Sequence, residues 1–188
     1  MIYLIVALNV EAQPIIDKLK LQKFKNMPFK SFYNSEYILT ITGLGVENAL
    51  MATTAIFTKF PPSEEDKIIN FGICAAPKKY EIGELLLIDQ ISYKDETFKT
   101  KLAFQSTLKE ENLTTLDKAS SNELNTLVDM EAYGVYKAAK IFVKPIQLLF
   151  LKIVSDHFKP ETITKDFAKE LISNNLESLF IEFEKCKK

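Results

Sequence analysis

The chain alternates short, almost wholly apolar runs with stretches in which apolar residues recur every three or four positions. Residues 1–8 (MIYLIVAL) form the first apolar run and predict a buried strand. A helix is expected over residues 11–20, with Ile15, Ile16 and Leu19 on one face and Pro14 in its first turn. Residues 31–33 and 37–42 read as two strands joined by a turn at Asn34-Ser35. Gly43-Leu44-Gly45 then opens a second helix over residues 46–57. Buried strands are expected over residues 67–72 and 84–91. The polar stretch 92–111 keeps neither period and predicts no element. A short strand at 113–116 and a loop at 117–125 follow. Helix 129–141, stopped before Pro145, strand 147–154 and a long amphipathic helix over 163–185 complete the pattern.

Buried strands separated by helices imply a three-layer α/β/α architecture with a central mixed, largely parallel sheet, built as one domain over residues 1–188. Such sheets bind ligands outside the carboxyl ends of their strands. Glu11, Gly43-Leu44-Gly45, Gly72-Ile73-Cys74 and Ser155-Asp156 all follow predicted strands, so parallel strands would gather them on one edge.

Composition narrows the classes. The 188 residues are 47% hydrophobic and 26% charged, with a net charge of −1, which offers no electrostatic reason to expect nucleic acid or a membrane surface as partner. Every basic residue is a lysine. Planar, bidentate clamping of phosphate is arginine chemistry, so a phosphate pocket is disfavoured though a lysine can still act as a point charge. Cys74 and Cys186 stand far apart and without metal-ligand spacing; no metal or other cofactor is expected, and reduced thiols in a cytoplasmic protein are. The first apolar run is too short to span a bilayer and has no basic segment before it, so no leader or membrane anchor is expected.

Three acids stand in apolar company. Glu131 lies in Val128-Asp129-Met130-Glu131-Ala132 at the front of a helix, Asp156 follows the run 148–154 and Ser155, and Glu11 follows the first strand. Each has a bland reading beside the chemical one. Asp156 caps the next turn or acts as an acid. Glu131 and Glu11 sit in first helical turns where the dipole favours them, or face a ligand. Met130 is core or pocket wall. His157, the only histidine, is an exposed loop residue or lines a pocket beside Asp156, and no second histidine or paired cysteine supports a nucleophilic triad.

Taken in order, these residues resemble the nucleoside phosphorylase and nucleosidase superfamily, most closely the methylthioadenosine/S-adenosylhomocysteine nucleosidases. Ala7-Leu8-Asn9-Val10-Glu11 is similar to that family's first strand and catalytic glutamate. Thr42-Gly43-Leu44-Gly45 with Asn48-Ala49, Asn70-Phe71-Gly72, Met130-Glu131 and Ser155-Asp156 follow in family order. The resemblance implies a nucleoside phosphorylase-like fold, a homodimer, and hydrolysis of the bond between a purine and a ribose. Asp156 would protonate the leaving base at N7, for which it must hold a proton in a dry pocket. Glu131 would accept the ribose hydroxyls with Met130 against the sugar, and Glu11 would activate the attacking water. Gly45, Gly72, Ile73, Cys74, Ser155 and Lys152 are the further substrate-binding positions that the resemblance implies.

The departures fall in the same region. Ile73 stands where the family has a serine that helps to hold the water. Lys152 replaces an arginine, keeping the charge without the fork. The middle of the chain is short, and its family segment carrying a purine-stacking ring corresponds to Thr115-Leu116-Asp117-Lys118-Ala119, with no ring at Ala119. A silent nucleoside-binding module and a phosphate-dependent phosphorylase therefore stand as alternatives to a nucleosidase.

Overall fold

A computed structural model describes residues 1–101 and 105–186. The chain runs β1 (Ile2–Val6), α1 (Asn9–Leu19), β2 (Gln22–Lys23), β3 (Ser31–Tyr33), β4 (Tyr37–Ile41), α2 (Val46–Lys59) and β5 (Lys67–Ala75). It continues with β6 (Leu85–Tyr93), β7 (Glu96–Lys99), β8 (Glu110–Thr115), β9 (Leu127–Asp129), α3 (Ala132–Ala139), β10 (Leu148–Asp156), α4 (Lys165–Asn174) and α5 (Leu176–Lys185).

The strands form one mixed sheet in the order β10-β6-β8-β9-β5-β1-β4-β3-β2, with β7 on β6. At its centre β4, β1, β5 and β10 run parallel, so their carboxyl ends share one edge. Because β5 also pairs with β9, and β10 with both β5 and β6, the pairings β5-β10-β6-β8-β9 close on themselves. A closed ring of strands leaves no edge there and gives residues on different strands a common interior.

Alternation assigns the two faces. Leu4, Val6, Ile69, Phe71, Leu149 and Leu151 pack with Ile15 of α1, Ile172 of α4 and Phe183 of α5. Tyr3, Ile5, Ile68, Leu148 and Phe150 point the other way, onto Ala49, Ile56 and Phe57 of α2 and Ala132 and Val135 of α3. The three-layer α/β/α arrangement is thus built from period-2 strands feeding two separate helix layers.

Several elements differ from expectation. The terminal helix is two helices: Asn175 ends α4, and its side-chain amide donates to the carbonyls of Gly83 and Leu171. Tying that residue to the turn before β6 outweighs the amphipathic period that continues through it. Pro14 lies in the second turn of α1, which already starts at Asn9. The stretch 92–111 contains the β6–β7 hairpin and the start of β8, while residues 102–104 of it lie outside the described residues. Asp129 ends a strand instead of starting a helix: β9 pairs with β8 and β5, and α3 begins only at Ala132. Among the described residues no helix is long and apolar enough to cross a membrane.

The α2–α3 crossing depends on one small residue. A Cβ on Gly134 would collide with the carbonyl oxygen of Val46 and crowd Ala49. Gly134→Ala gains about 1 kcal/mol of helix propensity but forces apart backbone that cannot rotate away, at a cost of up to ~3 kcal/mol. A net loss of ~1–2 kcal/mol is expected, visible as a lower urea midpoint with an unchanged slope; a midpoint equal to wild type would show that the crossing relaxes freely.

Candidate active site

On the face that packs against α2 and α3, the apolar stripe of each central strand gives way to polar residues at its carboxyl end. Along β5 the sequence Ile68, Asn70, Gly72, Cys74 leaves aliphatic residues behind after the first position; along β10, Leu148 and Phe150 are followed by Lys152; along β9, Leu127 is followed by Asp129. The result is a buried group of charged side chains where strand ends, α1, α2 and α3 meet.

Glu11, 2% exposed, enters this group from the first turn of α1. Its Oε2 accepts from the Leu8 amide at 2.8 Å, the reach-back of a capping glutamate. Its Oε1 accepts from the Ile73 amide at 3.0 Å. Gly72 makes room, since a Cβ there would stand 3.1 Å from Oε1. Burial pushes the Glu11 carboxyl above its ordinary value; the Ile73 and Leu8 amides and the Lys152 ammonium pull the other way without cancelling it.

Glu131 precedes α3 and is 7% exposed. Its Oε1 accepts from the amide of Gly45 at 2.8 Å, so the N-terminus of α2 faces a carboxylate. Gly45 adopts φ 95°, a conformation open to glycine, and that turn aims its amide. Burial, followed by the charge of Asp129, pushes Glu131 up to about 7, against the Lys152 ammonium and the Gly45 amide. Met130 beside it is half-buried.

Lys152 is fully enclosed, and its Nζ lies 2.8 Å from Asp129 Oδ2. Burial alone would lower it; Asp129 and Glu131 overcome that and hold the ammonium above its ordinary value. Asp129 was not among the sequence candidates. Its signal was present: an aspartate three residues before Ala132, whose amide donates to Oδ2 at 2.8 Å, as at a helix start. Thr115, at the end of β8, donates to Asp129 Oδ1 at 2.7 Å and accepts from the Tyr133 amide.

Asp156 ends β10, where a bulge after Val154 takes Ser155 out of register with β5. Such a bulge re-aims the side chains at a strand end. Both oxygens of Asp156 have partners: Oδ1 accepts from the Lys159 amide at 2.7 Å, Oδ2 from the Ser155 hydroxyl at 2.8 Å. The turn-capping reading is therefore present in the structure. Ser155 Oγ also lies 3.0 Å from the Cys74 carbonyl, so its single proton has two acceptors to choose from. The turn is tight enough to hold Phe158 at φ 57°. The half-buried His157 is tethered through Nδ1 to the Ala76 carbonyl at 3.0 Å, which places the proton on Nδ1.

Of the sequence candidates, Glu11, Gly45, Gly72, Glu131 and Lys152 come together around Asp129. Cys74 borders the group; its buried thiol is pushed up by desolvation and lies in the field of Lys152, Asp129 and Asp156. Ile73 contributes through its amide alone. Its side chain packs into the opposite core, because period 2 turns odd positions of β5 away from Lys152. No ring stands at Ala119, as the sequence already says.

The arrangement offers a carboxyl held by two amides, a second carboxyl pushed up to about 7 by burial, one enclosed ammonium and a third carboxyl at the strand end. It can hold hydroxyls and move a proton.

No family model matches the chain. Among curated proteins, the 5′-methylthioadenosine/S-adenosylhomocysteine nucleosidase of Staphylococcus saprophyticus is 32% identical over 101 residues, covering 50% of this chain and 43% of that protein. The match thus spans less than half the length of that relative. Among solved structures, the nucleosidase of the same description from S. pneumoniae, bound to the transition-state inhibitor MT-ImmA, superposes with a TM-score of 0.81 at 16% identity over 99% of this chain and 98% of that one. The futalosine hydrolase of Helicobacter pylori gives 0.78 at 16% identity over 96% and 97%. The chain therefore has the fold of these nucleosidase and hydrolase structures.

Proposed function

We propose that the chain hydrolyses the N-glycosidic bond of a purine ribonucleoside of the methylthioadenosine or S-adenosylhomocysteine kind. The observation that carries this reading is the meeting of Glu11, Glu131 and Lys152 at the carboxyl edge of the parallel strands, with Asp156 at the end of the strand that bears Lys152. Glu11 deprotonates or orients the attacking water; a carboxyl raised by burial is a better base near neutral pH than an exposed one. Glu131, already an acceptor toward Gly45, accepts the ribose hydroxyls. Lys152 balances the charge of the group. Asp156 protonates the purine as it leaves; when its Oδ2 carries the proton, the Ser155 hydroxyl turns to the Cys74 carbonyl and leaves that proton free to move.

The test is to incubate the protein with methylthioadenosine, adenosine and inosine, with and without phosphate, and to follow free base. Adenine released from methylthioadenosine without phosphate is the expected result. Release only with phosphate would replace the hydrolase by a phosphorylase, against the complete lack of arginine.

A second reading is a nucleoside-binding module without turnover. It is favoured by the engaged oxygens of Asp156, the Ile73 side chain on the wrong face and the missing ring at Ala119. No base release, together with a melting temperature raised by methylthioadenosine, would select it. We further propose a cytoplasmic homodimer; the exposed apolar Leu44 just before α2 and Met51 on it support the dimer. A monomeric mass by light scattering would overturn the dimer.

A further inference from the structure

Asp129 has no assigned part in the reaction, yet it receives more of the buried hydrogen bonding than any acid proposed to act. Its two oxygens gather donors from three elements: Lys152 Nζ from β10, Thr115 Oγ1 from β8 and the Ala132 amide that opens α3. β9 and β10 are not neighbours in the sheet, so the Asp129–Lys152 contact crosses the interior of the strand ring. Both side chains are enclosed, at 0% and 2% exposure. A pair with that little solvent is a poor way to gain stability, since desolvation offsets most of the attraction. It is an effective way to hold one charge in one place.

We propose that Asp129 is the positioning residue of this site: it anchors the Lys152 ammonium against Glu131 and Glu11 and ties that charge to the backbone from which Glu131 projects. The proposal rests on the nucleoside-site reading above, and assigns to Asp129 the control of that site's charge. Glu131 faces Asp129 from β9, Lys152 from β10, Glu11 from α1 and the Gly45 amide at the start of α2. Of these, Asp129 alone also grips the backbone from which Glu131 projects, through Ala132. Position and charge are therefore coupled through one carboxylate. Glu131 titrates near neutrality because burial and Asp129 together outweigh Lys152.

The test follows the Glu131 carboxyl carbon by NMR in protein labelled with 13C-glutamate, assigned by comparison with Glu131→Gln. This reads the proposal without any turnover. In wild type the titration midpoint should lie near neutrality. In Asp129→Asn the like charge is gone and the ammonium is released toward Glu131, so the midpoint should fall below about 6. In Lys152→Met the opposite charge is gone and Asp129 remains, so the midpoint should rise above the wild-type value. Asp129→Glu, which keeps the charge, should restore the midpoint of Asp129→Asn toward wild type. A residue with a merely structural role would not move the midpoint in opposite directions in the two neutralised variants. Should Asp129→Asn fail to fold with Lys152 left unpaired, the double variant Asp129→Asn/Lys152→Met, which leaves no buried charge unpaired, decides: its midpoint should lie below that of Lys152→Met. An unchanged midpoint in the folded variants overturns the proposal. If midpoints move as expected while no nucleoside is cleaved by wild type, the positioning role stands and the hydrolase reading falls.

Discussion

Asp156→Asn is expected to lower purine release by about 10²–10⁴-fold, the usual loss when a general acid is removed and worth about 3–5 kcal/mol in the barrier. Asparagine keeps the acceptor for the Lys159 amide, and its other end still meets the Ser155 oxygen, so the turn that follows β10 should survive. Substrate affinity should change little, because the proposed mechanism takes its ribose contacts from Glu131 and its water contacts from Glu11. The loss should therefore appear in kcat and leave KM nearly unchanged. Single-turnover assays on methylthioadenosine check this. Cleavage at the wild-type rate would mean that Asp156 is a turn cap and that the proton comes from elsewhere.

The second large effect is on stability. In Glu131→Gln the fall of stability with rising pH between about 4.5 and about 7 should be shallower than in wild type. The folded value of Glu131 is raised to about 7 from an ordinary 4.5. A raised carboxyl binds its proton more tightly in the folded than in the unfolded chain. Its contribution is thus fully present below about pH 4.5 and is lost as pH climbs through about 7. The loss amounts to up to about 3 kcal/mol, since each pH unit of difference is worth about 1.4 kcal/mol. Glutamine removes the titration, keeps an acceptor for the Gly45 amide and leaves the Glu11 titration common to both proteins. The variant and wild type should have similar melting temperatures near pH 4.5 and differ by several degrees above pH 8, the variant being higher. Parallel curves across that range would show that Glu131 is charged in the folded protein throughout.

Much of the fold was legible because it follows from periods. Residues 1–8, 67–72 and 147–154 are apolar on both faces, which only a strand covered by two layers can satisfy, and each is a central parallel strand. Boundaries failed where a single tertiary bond decided them. Asn175 breaks a helix whose apolar period continues, because its amide is held by Gly83 in the turn before β6. Strand β7 was invisible because Glu96, Thr97 and Lys99 are exposed and polar, which leaves Phe98 as its one apolar residue.

The acids divide in the same way. Glu11, Glu131 and Asp156 could be singled out along the chain, since a carboxylate beside a buried run is costly unless something uses it. The family order of the residues around them supplied the expected roles. What the chain alone could not supply is Asp129. In sequence it is one more polar residue ahead of a helix, and its neighbours in space, Lys152 and Thr115, lie 23 and 14 positions away. The charge of Glu131 is likewise a property of the assembled site. It depends on how much water the packing of α2 and α3 excludes and on how close the Asp129–Lys152 pair stands, and both are distances that exist only once the strands have closed their ring. The sequence by itself determined which residues are placed at the carboxyl edge, through strand length and parity. The tertiary structure decided which of them carry charge there, because electrostatic energies depend on separation and burial, not on order along the chain.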